Sequence, residues 1–157
     1  MLIRMRIQHS VHVRRPARDV SNALASGPAR WFPRLDDGSI SAVGPQVAGV
    51  PLHKRVVVEV GEPIRTSSWA VVPIAWRATF PERLFPAMVG RVEMNALDKD
   101  VTKLTVRGAY RPPLGSLGRQ LDDAVLGAVA RATVKELAEA IAARLEKTIA
   151  AGQPHGA

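Results

Sequence analysis

Apolar and polar residues alternate near the start of the chain. Ile3, Met5, Ile7, Val11 and Val13 take one phase, and Arg4, Arg6, Gln8, Ser10, His12 and Arg14 take the other. A period of two sends successive side chains to opposite faces, so residues 3–14 predict a half-buried strand, with His9 in its buried phase. Pro16 then stands where a first helical residue would. Val20, Ala23 and Leu24 form one apolar face, and Gly27-Pro28 is a stop signal, which together predict a short helix. Trp31-Phe32-Pro33 predicts a second short turn, and Asp36-Asp37-Gly38 a loop. Residues 39–50 are weakly patterned and rich in glycine and proline, so at most one short edge strand is expected there. Residues 52–60 predict a better strand, closed by Gly61-Glu62-Pro63.

Residues 67–80 predict another strand, but Pro73 lies inside it. Proline cannot donate to a ladder, so the strand is at an edge or bulged at that point. On a regular strand Trp69 and Trp76, an odd separation apart, would face opposite ways. A bulge at Pro73 would shift the phase and turn both indoles inward, and that bulge is the expectation.

Residues 85–97 and 101–111 predict a hairpin across Asp98-Lys99-Asp100. Met88, Val92 and Met94 share a phase on the first arm; Leu104, Val106 and Tyr110 share one on the second. The opposite phases carry Arg91, Glu93 and Asn95, then Lys103, Thr105, Arg107 and Arg111, which is a sheet with one dry and one wet face. After Pro112-Pro113 a helical pattern runs over residues 116–149, with Leu121, Val125, Ala128, Leu137, Ile141, Leu145 and Ile149 in its stripe. Asp122 and Asp123 near its start and Arg144 and Lys147 near its end complement the helix dipole. Gly152 and Pro154 end it, leaving residues 152–157 as an expected disordered tail. Such a stripe needs cover, and the sheet is the only partner large enough, so the class is α+β.

Composition narrows the setting. The 157 residues, 46% apolar and 23% charged, suit one globular domain over residues 1–151. No apolar run approaches the roughly 20 residues of a membrane span, and none near the start has signal-peptide length. With no cysteine there is neither a disulfide framework nor a thiolate metal site, and a cytoplasmic location is expected. Arginine supplies 17 of the 22 basic residues behind a net charge of +8, which attracts anionic partners. Aromatic residues at 4% are too few for a base-stacking platform, so no specific nucleic-acid partner is expected. Arg77, Arg91, Lys103, Arg107 and Arg111 fall in outward phases, which leaves an interaction module with a basic outer face as one reading.

Candidate chemistry is sparse. The pairs Asp36/Asp37, Asp98/Asp100 and Asp122/Asp123 lie in predicted turns or a helix start, where turn and dipole roles account for them. His9 and His12 would point to opposite faces of one strand, and with His53 and His155 they make no metal cluster. His9 reads as a core histidine or a ligand contact. Gly115-Ser116-Leu117-Gly118 lacks the lysine and strand context of a phosphate loop, and no serine sits in a nucleophile elbow. No metal, cofactor or catalytic residue is assigned.

The order strand, two short helices, antiparallel strands, long C-terminal helix resembles the START-like superfamily, also called SRPBCC or helix-grip proteins. Birch pollen allergen, lipid-transfer START domains and polyketide cyclase/aromatases belong to it. Phe85-Pro86, Gly108-Ala109-Tyr110-Arg111-Pro112-Pro113-Leu114-Gly115 and Leu117-Gly118-Arg119-Gln120-Leu121-Asp122 resemble segments of uncharacterised bacterial members. The resemblance implies a curved antiparallel sheet wrapped round the C-terminal helix, with an apolar cavity between them. It implies a non-catalytic carrier or sensor of a hydrophobic small molecule or lipid, with a polyketide cyclase/aromatase-like enzyme as the alternative. His9, Trp76, Met88, Val92, Met94, Leu104, Val106, Tyr110, Leu121 and Val125 are the expected lining. In the superfamily the first strand pairs with the last, so His9 and Tyr110 are expected on one inner wall, jointly holding the polar end of the ligand.

Overall fold

Strand β1 (Met5–Val13) forms where the alternation places it, with Ile7 and Val13 buried and Arg6, Gln8, Ser10 and His12 exposed. The computed structural model describes residues 5–33, 35–36, 39–41, 46–47, 50–51, 55–80, 87–111 and 123–150. Pro16 is the N-cap of α1 (Ala17–Ala25), one position earlier than expected. Its backbone is extended (φ −60°, ψ 145°), and its carbonyl accepts the amides of Asp19 and Val20, which starts the helical ladder. Val20, Ala23 and Leu24 are buried as expected, with Ala17 and Ser21. Gly27 then takes φ +105°, a conformation that side-chain-bearing residues avoid, and Pro28 opens α2 (Pro28–Trp31). Trp31 and Phe32 are both buried and meet edge to face, with ring centroids 5.5 Å apart.

After β2 (Leu35–Asp36), three short strands begin within residues 39–50, where at most one was expected: β3 (Ser39–Ser41), β4 (Gln46–Val47) and β5 (Val50–Pro51). Two- and three-residue bridges are too short to show a period, so their pattern is not readable in sequence. Strands β6 (Arg55–Val60), β7 (Ile64–Arg65), β8 (Trp69–Phe80), β9 (Ala87–Asp98) and β10 (Val101–Arg111) precede the helix α3 (Asp123–Thr148). The main sheet is antiparallel in the order β1-β10-β9-β8-β6-β3-β2, with β7 also on β8; β4 and β5 pair with each other. Asp36, expected in a loop, lies in β2, while Asp37 and Gly38 fall outside the described residues.

Strand β8 contradicts the expected bulge. Its register with β9 runs without a shift from Trp69 opposite Asn95 to Trp76 opposite Met88. The two indoles therefore face opposite ways, Trp76 at 7% exposure and Trp69 at 39%. Pro73 fits for a local reason. In an antiparallel ladder the N–H and C=O of one residue point to the same neighbour. The Pro73 carbonyl accepts the Gly61 amide at 2.8 Å, so its missing donor points the same way. There β6 has ended opposite Ile74 and β7 begins opposite Val71, so little ladder is lost. The irregularity on this strand lies further on, where Arg55 pairs with Phe80 but Val56 with Ala78.

Helix α3 packs mainly against β1 and β10, and α1 against β8 and β9. Ala130, Val134, Leu137, Ala138, Ile141, Ala142 and Leu145 form the buried stripe of α3. Ala128 is exposed, contrary to expectation, because the stripe passes through Gly127 and Ala130 instead. At about 1.5 Å per residue, the helix of 26 residues is about 39 Å long. Its C-terminal end is held by the β1–α1 corner. Arg15 donates to the carbonyls of Ile149 (2.7 Å) and Glu146, and the Arg14 amide donates to the Glu146 carboxylate (2.8 Å). A guanidinium there meets carbonyls the helix leaves unpaired and the negative end of its dipole. Among the described residues, no helix is long and apolar enough to cross a membrane.

Candidate functional site

The inner face is built from rows of directly opposed residues, which share a face across the strands. One row runs Val11, Leu104, Met94, Ala70 and the next His9, Val106, Val92, Val72. The third is Ile7, Gly108, Gly90, Ile74, and the fourth Met5, Tyr110, Met88, Trp76. The hairpin phases thus hold: Leu104 opposes Met94, Val106 opposes Val92, and Tyr110 opposes Met88.

Met88, Val92, Met94, Leu104 and Val106 are all within 1% of complete burial, and Trp76 is buried beside Met88. These six belong to the hydrophobic cluster that also holds the buried residues of α1, α2 and α3. His9 is half-buried at the β1 end of a row of three fully buried valines. Tyr110 and Val125 are placed by their backbone in β10 and α3, and Leu121 lies outside the described residues. The partner of His9 is Val106, four residues before Tyr110. At roughly 3.4 Å per residue that is about 14 Å along the strand, so the two residues belong to the same inner face, two rows apart.

Between the His9 row and the Tyr110 row lies a feature that apolar patterning does not reveal. Gly90 and Gly108 stand opposite one another. A Cβ on Gly90 would lie 1.9 Å from the Arg107 carbonyl oxygen, so the backbones approach too closely for any side chain. A Cβ on Gly108 would lie 2.4 Å from the terminal methyl of Met88, which therefore occupies the space above it. The signal was present in the sequence as two glycines equidistant from the Lys99 turn, each in an otherwise apolar phase.

Trp31 was also missed. It is fully buried, and among the described residues its indole Nε1–H has no acceptor. A buried donor left unpaired costs about 1–3 kcal/mol. Other buried polar groups are spoken for: Ser21 donates to the Thr66 carbonyl at 2.6 Å and Thr102 to the Arg15 carbonyl at 2.8 Å. The carboxylates lie elsewhere, Asp98 and Asp100 exposed at the hairpin turn and Asp123 at the start of α3. His12 is exposed on the opposite face from His9, while His53, His155, Asp37, Asp122 and residues 115–118 fall outside the described residues. Among the described residues no three His, Cys, Asp or Glu side chains converge.

The outer face is less basic than its sequence. Arg91, Lys103 and Arg107 are exposed there, but Glu93 spans two of them. One carboxylate oxygen meets Arg91 Nε at 2.7 Å and the other meets Arg107 Nε at 2.8 Å. Arg107 also donates to Gln8, directly opposite it. Arg77 and Arg111 are placed in β8 and β10 by their backbone.

No family model and no curated protein matches this chain by sequence. Solved structures do match by shape. An aromatase/cyclase, Zhui from Streptomyces sp. R1128, is 20% identical with a TM-score of 0.53, over 95% of this chain and 98% of that one. A START superfamily protein from Mycobacterium smegmatis is 14% identical with a TM-score of 0.54, over 92% and 99%. A conserved protein from Geobacillus kaustophilus is 14% identical with a TM-score of 0.52, over 90% and 95%. Each match spans nearly the whole of both chains, and with the curved antiparallel sheet and closing helix described above it shows that this chain has the START-like, helix-grip fold.

Proposed function

We propose that the protein holds a hydrophobic small molecule or lipid between the sheet and α3 and acts as a carrier or sensor rather than a catalyst. The observation that carries this reading is the inner wall itself, where Trp76, Met88, Val92, Met94, Leu104 and Val106 form one apolar surface. Ligand pockets are mostly apolar, with a few placed polar groups. Met88 supplies adaptability. Its flexible end covers Gly108, and rotation away would open the space above two adjacent glycines. Val125 of α3, together with Leu121, completes the proposed lining. The polar groups act separately: His9 at one end of its row, Tyr110 two rows away, and the Trp31 indole N–H as a donor for a ligand oxygen. General acid-base work needs groups that converge on a substrate, and the described wall offers one imidazole, which favours binding over turnover.

The test is native mass spectrometry of the protein as purified, followed by titration of the released compound into His9→Leu, Tyr110→Phe, Trp31→Phe and Met88→Ala. Binding of an apolar compound, weakened by at least one polar replacement and altered by Met88→Ala, supports the reading. Unchanged affinity in all four variants would overturn the site. A compound released chemically altered would replace the carrier reading with an aromatase/cyclase-like one.

A further inference from the structure

The outer side of the same strands carries a groove of about 610 Å³, lined by Arg6, Ile7 and Gln8 of β1, Val89, Gly90 and Arg91 of β9, and Arg107, Gly108 and Ala109 of β10. Two outward rows form its walls. One is Gln8, Arg107, Arg91; the other is Arg6, Ala109, Val89. Ile7, Gly108 and Gly90, whose phase points inward, leave only backbone between them. Alternate residues of a strand are roughly 7 Å apart and adjacent strands about 4.8 Å, so the two rows stand about 7 Å apart, centre to centre, and run about 10 Å across three strands. That admits a flat ring on edge or a short alkyl chain, but not a folded element.

The walls differ in chemistry. Val89 is 68% exposed and Ala109 is small, giving an apolar side. The facing row is cationic, and its geometry is set in advance. Glu93 takes Arg91 and Arg107 through their Nε atoms, and Gln8 holds a terminal nitrogen of Arg107. A guanidinium carries five N–H donors, more than these contacts use at either arginine, so both can also donate to a bound oxyanion. Counting Arg6, Arg91 and Arg107 against Glu93, the groove keeps an excess of positive charge, within a chain of net charge +8. Guanidinium groups suit planar, bidentate recognition of carboxylate and phosphate.

We infer that this groove is a second binding site, separate from the sheet–helix interior, for a small organic anion: an oxyanion group on a flat or short apolar body. The oxyanion meets Arg91 and Arg107, and the body lies against Val89 and Ala109. The site does not depend on the interior reading, and its test is independent of it.

The experiment is an NMR titration of the full chain with phenyl phosphate, with inorganic phosphate and phenol in parallel. Phenyl phosphate should shift the amides of Gly90, Gly108 and Ala109 saturably, phosphate should bind more weakly, and phenol should leave these amides unmoved. Arg91→Gln should weaken phenyl phosphate about tenfold, the loss of one charge-assisted contact. Val89→Glu, at an exposed position that leaves the core untouched, should remove binding through like-charge repulsion. Shifts confined to interior residues such as Val92 and Val106 would overturn the proposal. So would equal affinity in both variants, or a self-associated form in which a second copy covers the groove and excludes the anion.

Discussion

Gly90 and Gly108 face each other across β9 and β10, and a Cβ added at either would meet another atom below 3 Å. The two positions are nevertheless unequal. An added Cβ at Gly90 meets backbone, the Arg107 carbonyl oxygen at 1.9 Å, whereas one at Gly108 meets the mobile end of Met88. Backbone can yield only by parting the strands, while a methionine can turn aside.

Gly90→Ala should therefore lower unfolding free energy by roughly 3 kcal/mol or more, and Gly108→Ala by about 1–2 kcal/mol. Denaturant unfolding of both, and of Gly108→Ala combined with Met88→Ala, checks the explanation. The second pair should be non-additive, since removing Met88 frees the space the new methyl needs. Equal losses at Gly90 and Gly108 would count against it.

The tryptophans give an optical test of the register. In single-tryptophan variants Trp69 should be readily quenched by acrylamide, while Trp31 and Trp76 should be shielded, in line with exposures of 39%, 0% and 7%. Shielding of Trp69 would restore a bulge at Pro73.

The clamp on the end of α3 should matter more than an ordinary surface arginine. Arg15→Ala removes donors to the carbonyls of Glu146 and Ile149 and should cost about 1.5–3 kcal/mol, the range for hydrogen bonds to a charged group. Arg15→Lys should recover only part, because an ammonium cannot reproduce the fork that reaches both carbonyls. Full recovery in a thermal melt would mean that charge alone matters.

Sheet and helix should also stand or fall together. Ile141 and Leu145 of α3 belong to the same cluster as Leu104 and Val106 of β10. A chain truncated before Asp123 should lose cooperative unfolding and its near-ultraviolet dichroism. A sharp, native-like melt would show that the sheet finds other cover.

Much of this architecture was legible because the long elements carry their own period. The alternation in β1, β9 and β10 placed Val106 against Val92 and Leu104 against Met94 correctly, and the apolar stripe anticipated Leu137, Ile141 and Leu145. What failed has a common cause: it depended on neighbours rather than on the segment itself. Pro73 is accommodated by a break between β6 and β7, which its own strand does not encode. Ala128 and Ile149 share the expected spacing, yet Ala128 is exposed, because alanine alone does not fix the rotation of a helix. The separation of His9 from Tyr110 needed the register between β1 and β10, and face assignment alone does not supply it. Trp31 and Arg15 were unreadable for the same reason, since a missing acceptor and a helix-end clamp exist only once distant segments meet.

The clamp at Arg15 also gives α3 a pivot. Arg14 and Arg15 tie residues 146–149 to the β1–α1 corner, and Thr148 and Arg144 donate to the Arg30 and Ala29 carbonyls of α2. A rod held at one end moves most at the other. Over a helix about 39 Å long, a tilt of about 5° about that pivot carries the Asp123 end roughly 3 Å from the sheet, while Leu145 hardly stirs. Such a tilt would open space at the Asp123 end while the Leu145 end stayed packed.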